Sequence, residues 1–222
     1  MSVLHRLFPA VAVLALMGPP TADAQGNAES GKTLYTTTCA SCHGAQGQGV
    51  PFFHAPALSG LDSPYLTRQI NGFRHETRGR GTGDSFGALM VPMAKRLPGD
   101  QGVADLVAYI ETLPLPSPPI SATGDAASGK KAYRSCATCH GQNAEGIEAM
   151  NSPALIYQDA AYLELQLTNF SNGARGANAS DTYGAQMAPM AKVLADEKAI
   201  KDVVAYIESL RPSQGEPQKK GE

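Results

Sequence analysis

Val103, Leu106, Val107 and Ile110 recur at steps of three and four, and Ile200, Val203, Val204 and Ile207 repeat the spacing. That period sets apolar side chains on one face, so each segment predicts an amphipathic helix packed on a core. Ser63-Pro64 predicts a middle helix, with serine as its cap, proline in its first turn, and Leu66 and Ile70 on one face. Its partner is expected from about Asp159. Opening helices around Ser30 to Tyr35 and Ser128 to Tyr133 each lead into a cysteine pair. The pattern predicts an all-α fold with three short helices in each half. So few short helices bury little apolar surface, and such units usually need a staple or a cofactor.

The halves are copies. A shift of 97 positions lays Cys39 on Cys136, Cys42 on Cys139 and His43 on His140, and the register holds without a gap from Cys39 to Leu113. About 32 of those 75 positions are identical, far beyond chance. Between the copies lies Pro114-Leu115-Pro116-Ser117-Pro118-Pro119, an extended and semi-rigid spacer. The expected organisation is a domain at 25–113, a linker at 114–120, a second domain at 121–211 and a disordered tail at 212–222.

Residues 1–24 read as an export signal: His5 and Arg6, an apolar stretch from Leu7 to Met17, then Ala22-Asp23-Ala24 as a cleavage site. The apolar run is well short of the ~20 residues that cross a bilayer, and no later stretch is apolar enough to span one. The mature chain is expected to begin at Gln25 and to be soluble in the periplasm. Composition narrows the partners. The 222 residues hold 18 basic and 20 acidic side chains, a net charge of −2 that argues against nucleic acid. Aromatic residues make up 6% and tryptophan is absent, thin for two small cores.

Four cysteines in an exported chain could form two disulfides. They fall instead as Cys-Ala-Ser-Cys-His at 39–43 and Cys-Ala-Thr-Cys-His at 136–140, the haem-attachment signature. Both thiols of a pair can add across the porphyrin vinyl groups, and the histidine then meets the iron from one face. A redox dithiol would want a βαβ setting, and one shared zinc site leaves the paired histidines unexplained. Two covalently bound haems c, with their iron, are therefore expected, on Cys39, Cys42, Cys136 and Cys139, with His43 and His140 as axial ligands.

For the other axial position each half offers Met-x-Pro-Met: Met90 and Met93, then Met187 and Met190. A thioether there favours ferrous iron and raises the reduction potential. Both methionines of each pair recur, so the repeat does not choose between them. Pro92 and Pro189 should hold the preceding residue extended, which favours ligands reaching from a loop at Met90 and Met187. His54 aligns with Asn151 and His75 with Asn172, so neither recurs, and both are expected to be loop histidines in water. Arg78 and Arg175 recur in glycine-rich loops and suit the carboxylate tails of a haem.

With Val-Ala-Tyr-Ile-Glu at 107–111 and 204–208 and Gly-Ala-x-Met at 87–90 and 184–187, the chain resembles the tandem dihaem cytochromes c of the c4 group. The resemblance implies two class I cytochrome c domains, each a small helical fold wrapped around a covalent haem with His and Met axial ligands. It also places the axial Met seven residues before Leu97 or Leu194, which again indicates Met90 and Met187. It implies single-electron transfer in a respiratory chain, from a quinol-oxidising complex to a terminal oxidase. A dihaem peroxidase, a sulfur-compound dehydrogenase, or a cytochrome subunit of a larger membrane-associated complex are the alternatives. The first domain has seven basic and seven acidic residues, the second eight and ten. The cluster of Arg68, Arg74, Arg78 and Arg80 predicts an acidic partner for the first domain.

Overall fold

Asp62, Asp84, Asp159 and Asp181 each begin a helix in the same way, with a carboxylate accepting the backbone N–H three residues on. A free N–H of the first turn is thereby satisfied at each site. The computed structural model describes residues 25–212. The expected export signal at 1–24 and the tail beyond Pro212 lie outside the described residues. Among the described residues each half holds five helices and no extended strand. In the first half these are α1 (Ala28–Leu34), α2 (Ala40–His43), α3 (Ser63–Arg74), α4 (Ser85–Ala94) and α5 (Gly99–Glu111). In the second they are α6 (Ala126–Tyr133), α7 (Ala137–His140), α8 (Ala160–Asn172), α9 (Thr182–Ala191) and α10 (Glu197–Ser209).

Three expectations need correcting. Among the described residues each half holds five α-helices and not three, because the cysteine-histidine turn and the methionine stretch are helical as well. Asp62, not Ser63, caps α3, because its carboxylate reaches the Tyr65 N–H. The last correction is larger: the stretch around Met-x-Pro-Met is helical in both halves, with Pro92 and Pro189 inside α4 and α9. Each proline forfeits one intrahelical hydrogen bond, yet the turn started by Asp84 or Asp181 continues through it.

First and last helices cross tightly in each half, α1 on α5 and α6 on α10. The crossings depend on glycine: a Cβ on Gly31 would lie 1.9 Å from the Asp105 carbonyl oxygen, and one on Gly129 equally close to that of Asp202. Behind them lie two apolar cores. Tyr35, Leu66, Leu97, Val103, Leu106, Val107 and Ile110 build the first, and Tyr133, Leu163, Leu194, Ile200, Val203, Val204 and Ile207 the second.

The 97-residue register becomes 98 upstream of the cysteines, since Tyr35 corresponds to Tyr133 and Gly31 to Gly129. The extra residue of the first half is absorbed as a π-helical turn over Tyr35–Cys39. A wide turn of that kind is how a helix takes an insertion without losing its ends. Both tyrosines keep the same task, donating a hydrogen bond to Gly44 O and Gly141 O and so tying α1 to α2 and α6 to α7.

The proline-rich stretch carries no helix and lies along the second half. Leu115 packs on that core, and Arg211 donates to Pro118 O and Pro119 O at 3.3 and 3.2 Å. Direct contacts also join the halves. Gln158, 3% exposed, donates to Ala57 O at 2.9 Å and accepts from Ala57 N at 3.0 Å. A Cβ on Gly81 would lie 1.8 Å from Ala174 O, so backbone meets backbone there.

Candidate functional site

Helix α2 is one turn long and ends at His43, after which Gly44 turns the chain with φ 82°. The histidine is 5% exposed, and its Nδ1 lies 2.9 Å from Pro56 O. His140 repeats this at the end of α7, with Nδ1 2.9 Å from Pro153 O. Burial holds both imidazoles below the usual histidine pKa, although the carbonyl partner works against it. A neutral ring that donates from Nδ1 leaves Nε2 as a lone-pair donor, the state a metal needs. Cys39 and Cys42, and likewise Cys136 and Cys139, lie beside these histidines and form no disulfide. Burial first, then the neighbouring Cys42, pushes the Cys39 thiol up to about 11.

Across from the histidines stand α4 and α9. Met90 and Met93 are three apart on one helix, so they share a face, and both border the same cavity. Met187 and Met190 do so from α9. The extended-loop reason for preferring Met90 and Met187 therefore falls away. What separates the pair in the second half is exposure: Met190 is 40% exposed, whereas Met187 is half-buried.

Thiols, histidines and methionines of both halves line one continuous cavity of about 490 Å³. Its lining also holds four buried nitrogens without a partner: Nε of Arg68, Arg78 and Arg175, and Nδ1 of His54. Buried donors of this kind are costly unless something accepts from them. A group with an apolar body, a metal centre and carboxylate tails satisfies thiols, imidazoles, thioethers and arginines together. The residues present fit haem c.

Between the crevices Arg78 and Arg175 form a ring with two glutamines. Arg78 donates to Gln69 Oε1 at 2.5 Å and to Gln166 Oε1 at 3.3 Å. Arg175 donates to Gln166 Oε1 at 2.6 Å, to Gln69 Oε1 at 3.2 Å and to Tyr65 OH at 3.4 Å. The guanidinium groups stack on Phe73 and Phe170. Burial alone would raise the Tyr65 phenol; the charges of Arg175, Arg78 and Arg68 outweigh it and hold the phenol below its usual pKa. All these hydrogen-bond partners are neutral, so two like charges share a site that calls for anions. Gln69 and Gln166 escaped the sequence reading, though they match under the 97-residue shift.

Two further expectations fail. His54 is no loop histidine in water: its ring packs on Phe86 at 4.4 Å between centroids, and Nδ1 is buried. His75 does sit at the surface. Nor do the four arginines of the first domain make a free basic patch. Arg68 and Arg78 point into the domain contact, Arg74 pairs with Asp100 at 2.7 Å, and Arg80 pairs with Glu76 at 2.6 Å. A run of like charges does not reveal which members turn inward.

The cytochrome c family profile matches this chain twice, over residues 28–114 and 126–211. A relative named thiosulfate dehydrogenase electron acceptor, from Thiomonas intermedia (strain K12), is 34% identical over 62% of this chain and 64% of its own length. Cytochrome c4 of Azotobacter vinelandii is 32% identical over 85% of this chain and 91% of its own. Among solved structures, reduced recombinant cytochrome c4 from Pseudomonas stutzeri superposes with a TM-score of 0.66 at 27% identity. That match covers 84% of this chain and 100% of the other.

Proposed function

The chain belongs to the cytochrome c family as a tandem, c4-like member with two covalently bound haems c, and from that premise we propose an exported one-electron carrier rather than an enzyme. When bound, each haem supplies a ferric/ferrous couple. The protein residues hold, orient and insulate it. Cys39 and Cys42 would hold the first porphyrin through thioether bonds, and Cys136 and Cys139 the second. His43 and His140 would offer Nε2 to the iron, kept in place by the carbonyls of Pro56 and Pro153. Met90 and Met187, each seven residues before Leu97 or Leu194, would offer their thioethers. Met93 and Met190 would pack beside them. Arg78 and Arg175, whose Nε atoms are buried without a partner, would hold the carboxylate tails.

The observation that carries this reading is the pairing, twice over, of a buried neutral histidine with a methionine helix across one cavity. With a histidine and a methionine of each domain ligating its iron, no site would be left there for substrate. The mature chain would start after Ala24 in the periplasm, with domains at 25–113 and 121–211 joined by residues 114–120. Among the described residues no helix is long and apolar enough to cross a membrane.

The partners are redox proteins. We assign a quinol-oxidising complex as donor and a terminal oxidase as acceptor. The name of the Thiomonas relative supports a second reading, in which a sulfur-compound dehydrogenase is the donor. Stopped-flow reduction of the ferric protein separates them: rapid reduction by a quinol-oxidising complex supports the first, and reduction only by thiosulfate plus its dehydrogenase supports the second. Rapid carbon monoxide binding to the reduced protein would instead favour the enzyme reading.

A further inference from the structure

Most polar groups across the domain contact come in pairs related by the repeat: Tyr65 with Tyr162, Gln69 with Gln166, Arg78 with Arg175. Arg68 breaks the symmetry, because its counterpart is Leu165. It leaves α3 of the first domain and ends on the second. Its Nη1 donates to Asn151 Oδ1 at 3.0 Å and its Nη2 to Asn151 O at 2.8 Å. The guanidinium carbon lies 4.4 Å from the centre of the Tyr183 ring. Asn151 belongs to the loop whose Pro153 carbonyl holds His140, and Tyr183 is in the first turn of the methionine helix α9. Arg68 therefore spans the edge of the second crevice, from its histidine wall to its methionine wall. In the first crevice the equivalent residues, His54 and Phe86, pack directly on each other.

We propose that Arg68 is the group through which the first domain biases the second: its charge makes the second haem the easier to reduce, so a lone electron rests there. This rests on the reading of the chain as a carrier of two haems. Both hydrogen-bond partners of Arg68 are neutral, and its Nε is buried with no partner. A fixed cation in a poorly solvated site disfavours the more positive state of a neighbour, here ferric iron. Arg78 and Arg175 match under the repeat and each donates to both Gln69 and Gln166, so as a pair they do not set one domain apart from the other. The acidic excess of the second domain acts the other way, but none of its acidic side chains lines the cavity, whereas Arg68 does.

The test is a potentiometric titration with the two haems resolved by their NMR methyl signals, on the wild type, Arg68→Leu, Arg68→Lys and Leu165→Arg. Arg68→Leu should lower the second potential alone and move the lone electron toward the first domain by about tenfold, 59 mV for a one-electron couple. Arg68→Lys should restore most of the shift. Leu165→Arg should raise the first potential, and it carries the test if Arg68→Leu fails to fold. Unchanged potentials in Arg68→Leu, or an equal fall in both, would overturn the role of Arg68. A wild type without two one-electron haems would instead overturn the carrier reading itself.

Discussion

Gln158 of the second domain and Ala57 of the first exchange two hydrogen bonds, side-chain amide against backbone, in a site closed to water. Ala57 directly follows Pro56, whose carbonyl orients His43. The contact between domains is thus fastened one residue from the residue that positions the proposed iron ligand.

Gln158→Ala should leave the N–H and C=O of Ala57 buried and unpaired, at a cost of roughly 1–3 kcal/mol per group. A lower melting temperature with two haems still attached is the expected result. Calorimetry on the exported protein checks it, and small-angle scattering should show the domains further apart.

Gly31→Ala and Gly129→Ala should each destabilise one domain by roughly 3 kcal/mol or more, because the added methyl runs into backbone rather than a movable side chain. Denaturant unfolding should report the loss in the altered domain only. Gly72→Ala, within α3, is the control for added bulk, since a Cβ there meets side-chain atoms only at the ordinary contact distances of 3.4 and 3.5 Å.

Cys39→Ser with Cys42→Ser should leave one covalent haem per chain by intact mass. Emptying the cavity of about 490 Å³, at about 24 cal/mol per Å³, forfeits on the order of 10 kcal/mol as an upper bound across both domains. That rivals the whole stability of a small domain. Circular dichroism should therefore show the first domain losing helix if its haem is not retained without the covalent bonds.

Met90→Ala and Met187→Ala should each lower one reduction potential and leave the other nearly unchanged, since thioether ligation favours ferrous iron. Met93→Ala and Met190→Ala should shift neither by a comparable amount. Potentiometry on the four variants decides the ligand in each domain.

The sequence made some of this visible because the signal was local and doubled. The cysteine pairs, their histidines and the stripe Val103, Leu106, Val107, Ile110 needed only spacing to be read. Helix α4 was hidden because Pro92 is a local signal for extended chain, whereas the Asp84 cap and packing of Val91 and Ala94 on Phe73 hold the turn. His54 and Arg68 were misjudged for another reason. Whether a polar side chain faces water or a second domain depends on a contact between segments tens of residues apart, which periodicity does not encode.

The most direct measurement is the haem content of the exported protein together with its redox titration. Two c-type haems per chain by alkaline pyridine spectrum, each reversibly one-electron and indifferent to carbon monoxide, is the predicted result. A colourless protein with four free thiols, or a haem that binds carbon monoxide at once, would contradict it.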